Sequence, residues 1–327
     1  MLRKFFKVIA IIVVILILAI AGLLIYVKKA LPDVGPAPEI TIHSTPAMIE
    51  RGQYLATHVT VCIDCHSTRD WAKFAGPIIA GTEGKGGEKF DQSMGFPGTF
   101  YARNITPFNL KDWTDGEIYR TITTGVTKDG QALFPVMPYH YYSMMDPKDV
   151  DAIIAYIRTL PAIDNTPHAR HIDFPMNFII NTIPQKAHPM ALPPKSDTLA
   201  YGHYLVEIAG CQACHTKQEK GKIVGVPFAG GWAFNMPNGT IVRSANLTPD
   251  KETGIGGWSK EAFINLFKSF ASPTYQPPIV KAGQMQTPMP WNMYGGMDTS
   301  DLAAIYTYLH SLGPVENRVV MFSTSEK

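Results

Sequence analysis

The sequence opens with an apolar run, Val8 to Val27, that contains no charged residue. About 20 residues of helix span the hydrocarbon core of a bilayer, so residues 1–29 are predicted to form a membrane-spanning helix. The stretch Ala19–Ala21 has the small-x-small form of a cleavage site, and a cleaved signal peptide is the competing interpretation. We favour an uncleaved anchor, because apolar residues continue past that stretch and the run is longer than a typical signal-peptide core. Basic residues ahead of the run favour a cytoplasmic N-terminus, which predicts that the rest of the chain lies on the periplasmic, extracytoplasmic side of the cytoplasmic membrane.

Beyond residue 29 the pattern predicts helices joined by loops that are rich in glycine and proline. The prolines of residues 30–45 exclude a helix there, so this segment is predicted to be a semi-extended tether. Thr45-Pro46 and Ser196-Asp197 are typical of helix starts, and the segments after them run to the cysteines. Apolar residues recur at spacings of three and four in "WTDGEIYRTI" (113–122), "WSKEAFINLF" (258–267), "DPKDVDAIIAYIRTL" (146–160) and "DTSDLAAIYTYLHSL" (298–312). Only "GTFYARNI" (98–105) and "GTIVRSANL" (239–247) resemble short strands, so the fold class is predicted to be mainly α.

The chain contains an internal repeat. "RGQYLATHVTVCIDCHS" (51–67) aligns with "YGHYLVEIAGCQACHT" (201–216), and "PVMPYHYYSMMDPKDV" (135–150) aligns with "TPMPWNMYGGMDTSDL" (287–302). The two copies are about 150 residues apart, which is the size of one small domain. The predicted organisation is an anchor (1–29), a tether (30–45), a first repeat forming one domain (46–163), an interdomain linker (164–195), a second repeat forming another domain (196–315) and a C-terminal tail (316–327).

Composition and charge narrow the class of protein. Hydrophobic residues make up 46% of the 327 residues and charged residues 17%, as in a folded protein. The net charge of +2 is too balanced to favour nucleic acid as a partner. The chain holds four cysteines, and two CxxCH motifs, at 62–66 and 211–215, use all of them. No thiol is therefore left over for a structural disulfide.

The histidine that follows each CxxC pair distinguishes the kinds of site that such a pair can form. A zinc ribbon separates its two pairs by about 15–20 residues, whereas Cys65 and Cys211 are much farther apart and belong to different repeats. A thioredoxin-like redox site needs a βαβ pattern, which the sequence lacks. Covalent haem attachment explains all three residues, since the cysteines bond to the porphyrin and the histidine binds its iron. We therefore predict two covalently bound haem c groups, one on Cys62, Cys65 and His66, the other on Cys211, Cys214 and His215.

Paired methionines supply candidate sixth ligands for the two irons. Met137 and Met289 occupy matching positions, each is followed by proline, and each lies in a loop before the last helix of its repeat. A thioether opposite the histidine favours Fe(II) and raises the reduction potential. Met145 and Met297 also match, but they adjoin the start of a helix and are predicted to pack in the core. His140 is a rival ligand near Met137, although the second repeat has no histidine at the matching position.

Two further pairs of residues match between the repeats. Trp113 matches Trp258, and Asn104 matches Asn246. We predict contacts with the haem edge or hydrogen bonds near a propionate, with plain core packing as the alternative.

Histidine and methionine together fill both axial positions of an iron and leave no open site for oxygen or peroxide. Such a haem suits electron transfer rather than bond making, and the sequence shows no candidate nucleophile, nucleotide loop or separate metal site. We therefore predict a non-enzymatic, membrane-anchored dihaem electron carrier of an extracytoplasmic respiratory chain. The alternatives are a dihaem peroxidase-type enzyme and a redox or gas sensor, and both need one open haem.

The order of helix, CxxCH, Met-Pro loop and final helix resembles class I cytochrome c domains. "NLTPDKETGIGGWSKEAF" (246–263), "MPWNMYGGM" (289–297) and "DLAAIYTYLHSL" (301–312) are similar to the multihaem cytochrome c subunits of bacterial membrane-bound alcohol and gluconate dehydrogenases. The resemblance covers roughly residues 46–315. It implies two tandem class I cytochrome c domains, whose first and last helices cross at Gly52 and at Gly202, and whose CxxCH and Met-Pro residues carry the haems.

The resemblance also bears on partners and on the linker. Subunits of that kind carry three haems and are typically held by a C-terminal segment, whereas this sequence has two CxxCH motifs and an N-terminal apolar run. The predicted partners are redox proteins, with a dehydrogenase or quinol-oxidising complex as donor and an oxidase or another cytochrome as acceptor, besides membrane lipid around residues 8–27.

The linker contains "FPMNFII" (174–180), which is apolar enough to pack against a domain, a partner or the membrane interface. A linker that covers apolar surface is the favoured interpretation.

Overall fold

The computed structural model describes residues 2–219 and 221–324. Met1 of the predicted anchor and residues 325–327 of the predicted tail lie outside this range, as does Lys220. Within it the architecture is mainly helical, as predicted, with small antiparallel sheets beside the helices.

The N-terminal apolar run forms helix α1, Leu2–Lys29, in which no residue is buried. This helix is long and apolar enough to cross a membrane, and these properties fit both a membrane anchor and a signal sequence. The tether that follows forms neither helix nor strand. It lies against the first repeat, where the backbone N–H of Ile42 donates to Asp115 Oδ2 at 2.9 Å.

The first repeat and the linker form seven α-helices and one three-stranded sheet within residues 46–195. The helices are α2 (Pro46–Tyr54), α3 (Cys62–Cys65), α4 (Pro107–Leu110), α5 (Asp115–Thr124), α6 (Tyr139–Tyr142), α7 (Pro147–Ile157) and α8 (Met176–Ile179). A π-helical turn, Leu55–Val59, joins α2 to the turn before α3, and 3-10 turns lie at Gln92–Met94 and Ile180–Thr182. The strands β1 (Lys89–Phe90), β2 (Gly98–Tyr101) and β3 (His171–Ile172) pair in that order.

The second repeat and the described part of the tail follow a similar plan. The helices are α9 (Thr198–Ile208), α10 (Cys211–Cys214), α11 (Lys260–Ser269), α12 (Trp291–Tyr294) and α13 (Thr299–Ser311). Strands β4 (Gln218–Glu219) and β5 (Lys222–Ile223) form a hairpin, and β6 (Ala233–Asn235), β7 (Thr240–Arg243) and β8 (Phe322–Thr324) form a three-stranded sheet. The third strand of each three-stranded sheet, β3 or β8, comes from the segment that follows the repeat.

Side-chain caps explain where the main helices begin. Thr45 Oγ1 accepts the N–H of Met48 at 3.2 Å, and Asp197 Oδ1 accepts that of Ala200 at 3.1 Å. These bonds satisfy N–H groups that have no partner within the helix. Both predicted helix starts are thus confirmed, and the predicted strands are confirmed in part as β2 and β7.

The first and last long helices of each repeat cross at a glycine. A Cβ atom added to Gly52 of α2 would lie 1.8 Å from the carbonyl oxygen of Ala152 in α7. A Cβ atom added to Gly202 of α9 would lie 2.0 Å from that of Ala304 in α13. Only a residue without a side chain allows the two backbones to approach so closely.

The two repeats contact each other through reciprocal buried hydrogen bonds. Tyr54 Oη donates to Asp301 Oδ2 at 2.8 Å, and Tyr204 Oη donates to Asp149 Oδ2 at 2.7 Å. Each hydroxyl also accepts the N–H of the residue that caps the last helix of the other repeat, at 3.0 and 3.1 Å. The helix that leads to each CxxCH motif is therefore fixed to the last helix of the opposite repeat.

Each aspartate in this interface also pairs with a cation. Arg51 Nη2 lies 2.8 Å from Asp149 Oδ2, and Lys195 Nζ lies 2.9 Å from Asp301 Oδ1. The side chain of Asp301 is fully buried, and that of Asp149 nearly so. Buried carboxylates need such partners, because an unpaired charge in the interior is costly.

Alanine at Gly202 is expected to destabilise the protein by about 1–3 kcal/mol, since its methyl group overpacks the crossing with α13. The clash is expected to outweigh the gain in helix propensity of about 1 kcal/mol. Thermal unfolding of the full chain in detergent, followed by circular dichroism, measures the effect. Gly313→Ala is the control, because an added Cβ there meets no atom within 4 Å. A midpoint for Gly202→Ala equal to that of the control would contradict the close crossing.

Candidate cofactor sites at the two CxxCH turns

Each CxxC pair forms a single helical turn that begins after a left-handed residue. Val61 has φ 47° ahead of α3, and Gly210 has φ 65° ahead of α10. The left-handed residue separates the cysteines from the preceding helix, which therefore ends before the motif. Residues three apart on one turn lie on the same side of the helix. One planar group can therefore bond to both cysteines of a pair.

The two motif histidines are held through their Nδ1 atoms. His66 Nδ1 lies 2.6 Å from the carbonyl oxygen of Arg103, and His215 Nδ1 lies 2.8 Å from that of Ala245. Because a carbonyl oxygen only accepts, Nδ1 carries the proton and Nε2 keeps its lone pair. Burial lowers the pKa of both imidazoles, which favours their neutral form. A histidine that binds a metal through Nε2 needs this tautomer and this protonation state.

The asparagines that match between the repeats fix the loops that hold these histidines. Asn104 directly follows Arg103, and Asn246 directly follows Ala245. Both side chains are buried and donate to carbonyls of the segment after the last helix of their repeat. The bonds run from Asn104 Nδ2 to Ile163 O and Asn165 O, both at 2.9 Å, and from Asn246 Nδ2 to Val315 O at 2.8 Å. Of the matched tryptophans, Trp113 is buried and Trp258 is 40% exposed.

Both Met-Pro loops adopt the same backbone turn. The proline after each of Met137 and Met289 has φ −81°, with ψ 51° in the first loop and 63° in the second. The carbonyl of each methionine accepts the N–H two residues further on, at 2.8 Å in both loops, as in an inverse γ-turn. The two methionine side chains are partly buried and pack against the same apolar core as Cys62 and Cys211.

The remaining candidates near these loops differ in burial. Met145 and Met297 are 1% and 2% exposed, as predicted for residues of the core. The ring of His140 packs against that of Tyr139, with 4.5 Å between the centroids. Met137 and His140 both remain candidate ligands at the first site, and the assignment of Met137 is still a prediction.

Burial favours the protonated form of the motif thiols. The four thiols form no disulfide, and burial raises the pKa of Cys65 and of Cys211 to about 12. A protonated thiol is a poor nucleophile. In the part of the chain that the structure describes, no group of three or more His, Cys, Asp or Glu side chains is placed to hold a metal ion. The two CxxC pairs thus do not converge on one four-cysteine centre.

Matched tyrosines connect each Met-Pro loop to the CxxCH turn of its own repeat. Tyr142 Oη donates to the carbonyl of Thr60 at 2.7 Å, and Tyr294 Oη donates to that of Ala209 at 2.9 Å. Burial raises the pKa of Tyr294 above its usual range, and thiols of both CxxCH motifs raise it further. Each of these hydrogen bonds holds a Met-Pro loop against the turn before the CxxCH motif of the same repeat.

Helical periodicity does not predict the π-helical turn of the first repeat. The turn is indicated instead by the number of residues between a tyrosine and the first cysteine, which differs between the repeats. Eight positions separate Tyr54 from Cys62, but seven separate Tyr204 from Cys211. A π turn holds one more residue than an α turn, so it absorbs the difference without shifting the cysteines. The turn also carries His58, whose Nδ1 lies 2.9 Å from the carbonyl oxygen of Met293 in α12.

Comparison with known proteins identifies relatives along most of the chain, whereas no family model matches it. The chain is 29% identical over 305 residues to the cytochrome c subunit of a quinone-dependent alcohol dehydrogenase of Gluconacetobacter polyoxogenes, an alignment that covers 86% of this chain and 59% of that protein. It is 26% identical over 305 residues to the gluconate 2-dehydrogenase cytochrome c subunit of Pantoea cypripedii, covering 86% of this chain and 63% of that protein. The chain is a homologue of dehydrogenase cytochrome c subunits.

A further relative has a length closer to that of this chain. The chain is 26% identical over 271 residues to a dihaem c-type cytochrome of Cereibacter sphaeroides, covering 78% of this chain and 83% of that protein. By contrast, the chain spans only 59% and 63% of the alcohol and gluconate dehydrogenase subunits.

Alanine at Gly210 is expected to destabilise the second CxxCH turn by about 1–2 kcal/mol, the cost of a left-handed conformation for a residue with a side chain. Crowding contributes little, since the nearest atom to an added Cβ is 4.0 Å away. Gly210→Asn is the matched variant, and a smaller loss is expected because asparagine tolerates this conformation better. Chemical denaturation followed by circular dichroism compares the two. Equal losses for alanine and asparagine would exclude backbone strain as the cause.

Proposed function

We propose that the chain is a membrane-anchored dihaem cytochrome c, which relays single electrons between redox proteins on the extracytoplasmic side of the membrane. The observation that carries the proposal is the duplicated CxxCH turn, in which a neutral histidine keeps Nε2 free while a carbonyl fixes Nδ1. Homology to cytochrome c subunits supports the same cofactor. The two repeats would then be tandem class I cytochrome c domains, each with its own haem.

The residues present fit a covalently held haem in both repeats. Cys62 and Cys65 lie three apart on one helical turn, as do Cys211 and Cys214, and their thiols are not engaged in disulfides. We assign His66 and His215 as the proximal iron ligands, and Met137 and Met289 as the opposite ones. Haem, when bound, supplies a one-electron Fe(III)/Fe(II) couple. The assigned histidines and methionines would hold the irons and leave no position open for other molecules, and the apolar core beside them would exclude water.

The contact between the repeats suits a relay, because both candidate sites adjoin it. The tyrosine–aspartate bonds across the interface hold the two repeats in one relative position. His58 of the first repeat also contacts the helix after the second Met-Pro loop, since its Nδ1 lies 2.9 Å from the carbonyl oxygen of Met293. We infer that this contact would hold the two haem sites in one relative position, so that electron exchange between them would need no movement of the repeats.

Relatives of this chain are named as subunits of alcohol and gluconate dehydrogenases. We therefore propose a dehydrogenase or a quinol-oxidising complex as electron donor, and an oxidase or another cytochrome as acceptor. Substrate chemistry would take place in the partner, and this chain would have no catalytic residue of its own. Helix α1, kept as an uncleaved anchor, would hold both haems near such membrane-bound partners.

The proposal is tested by intact mass and by carbon monoxide binding to the purified full-length protein. The mass is expected to exceed that of the polypeptide by two haem groups. The reduced protein is expected to bind almost no carbon monoxide, because both axial positions are filled. Rapid binding to a substantial fraction of the haem would instead favour a peroxidase-type enzyme or a gas sensor, and a mass without haem would exclude all three.

Variants of the methionines assign the sixth ligands in the same assay. Met137→Ala and Met289→Ala are each expected to open one haem, so about half of the haem binds carbon monoxide. Met145→Leu is the control, since a swap of similar volume in the core is well tolerated. If the His140→Ala variant binds carbon monoxide and the Met137→Ala variant does not, His140 rather than Met137 is the sixth ligand of the first haem.

Arg103 is expected to raise the potential of the first haem. Burial lowers the pKa of His66, the hydrogen bond to the Arg103 carbonyl at 2.6 Å raises it, and the charge of Arg103 lowers it again. The matching residue in the second repeat, Ala245, carries no charge. Arg103→Gln removes a positive charge that disfavours Fe(III), so one of the two midpoint potentials is expected to fall. Spectroelectrochemical titration measures both.

Arg158→Gln is the control for this titration, because Arg158 pairs with Asp115 at 2.9 Å and contacts no candidate ligand. Its two midpoint potentials are expected to match those of the unmodified protein. If Arg103→Gln leaves both potentials unchanged, or shifts both equally, the electrostatic assignment is wrong.

A further inference from the structure

The linker between the repeats contacts the end of the N-terminal helix. Asn181 Nδ2 donates to the carbonyl oxygen of Val27 at 3.4 Å. Lys28 Nζ lies 4.9 Å from the ring centroid of Phe178, in a cation–π contact. These contacts place the segment Phe174–Ile179 beside the last turn of α1.

The last turn of α1 indicates at which level of a bilayer this segment would lie. The apolar run ends at Val27, and Lys28 and Lys29 follow it. Lysines at the end of a membrane-spanning helix reach the boundary between hydrocarbon and headgroups. A segment packed against these lysines therefore lies at the same boundary whenever α1 spans the bilayer.

The segment presents apolar side chains that the protein does not cover. Phe174 is 79% exposed and Ile179 is 43% exposed, whereas the adjacent Ile180 is 2% exposed and anchors the segment in the core. The rings of Phe174 and Phe178 meet edge to face, 6.4 Å apart. Phenylalanine and isoleucine on such a surface gain free energy when they leave water for an apolar phase.

Polar groups surround this apolar surface, as they do in interfacial segments. Lys28, Arg170 and Asn181 line one cleft beside it, together with Asp129. Aromatic and aliphatic side chains facing the acyl boundary, with cations at headgroup level, are typical of segments that lie on a membrane.

We propose that Phe174–Ile179 inserts into the interfacial layer of the phospholipid bilayer, in the leaflet from which α1 emerges. The inference rests on the proposed function only in that α1 is kept as an anchor. Two attachments, α1 and this segment, would then fix the orientation of the first repeat relative to the membrane plane. The linker is thus a second membrane contact as well as a connection between the repeats.

The test uses the full-length, haem-loaded protein in phosphatidylcholine nanodiscs. An environment-sensitive fluorophore is attached to Phe174→Cys, and quenching by doxyl-labelled phosphatidylcholine is compared with quenching by aqueous iodide. The label is expected to emit at shorter wavelength and to be quenched several times more strongly by the lipid than a control label at Ile279→Cys. Ile279 is 73% exposed and lies in the second repeat. A label at residue 174 that iodide quenches as strongly as the control would overturn the proposal.

Two controls separate this outcome from failure of the anchor or of the haem assignment. A label at Ile15→Cys, in the middle of α1, is expected to be quenched by the lipid. If lipid quenches the label at residue 15 while the label at residue 174 remains in water, only the proposed insertion of Phe174–Ile179 is wrong. If lipid quenches neither label, the membrane anchor is wrong as well. Fluorophore uptake by the unmodified protein would reveal free thiols and would contradict covalent haem attachment independently of the membrane.

Discussion

The close crossing of two helix backbones in each repeat determines where the candidate site is built. At Gly52 and Gly202 nothing but a hydrogen atom separates the first helix from a carbonyl of the last. The end of the first helix is thereby fixed, and a left-handed residue directs the CxxC turn away from it. The motif histidine then meets a carbonyl of the loop that follows β2 or β7. A side chain at either glycine would force the helices apart and displace every later part of this arrangement.

Each repeat makes the same hydrogen bonds to the other across their interface, but other residues near the interface differ between the two repeats. Tyr54 and Tyr204 make equivalent hydrogen bonds to buried aspartates of the opposite repeat. Among the residues that the structure describes, the π-helical turn occurs in the first repeat only, and its His58 contacts α12 just after the second Met-Pro loop. The histidine-holding loop carries a cation, Arg103, only in the first repeat. Duplication therefore provides two similar sites, and these substitutions give them different electrostatic surroundings.

The sequence predicts those parts of the fold that depend on local chemistry. Thr45 and Asp197 cap helices through their own neighbours, and Met145 lies just before the start of α7, so short-range spacing is sufficient for them. The contacts of Tyr54 with Asp301 and of His66 with Arg103 join residues far apart in the chain, and no local pattern encodes them. Strands β3 and β8 are too short to show an alternation, and they form because another strand is already in place. At the site, the sequence identifies the residue types, and the tautomer of the histidine follows only from its carbonyl partner.

The linker connects the membrane end of the molecule to the first candidate site through backbone hydrogen bonds. Its strand β3 pairs with β2, with Ile172 opposite Gly98 and His171 opposite Thr99. Strand β2 leads directly into Arg103, whose carbonyl holds His66. In the second repeat β8 occupies the place of β3, but it belongs to the tail, so no strand within residues 2–219 and 221–324 links that site to α1. If the membrane orients the linker as proposed, the sheet would transmit that orientation to the first site, and the tyrosine–aspartate interface would transmit it to the second.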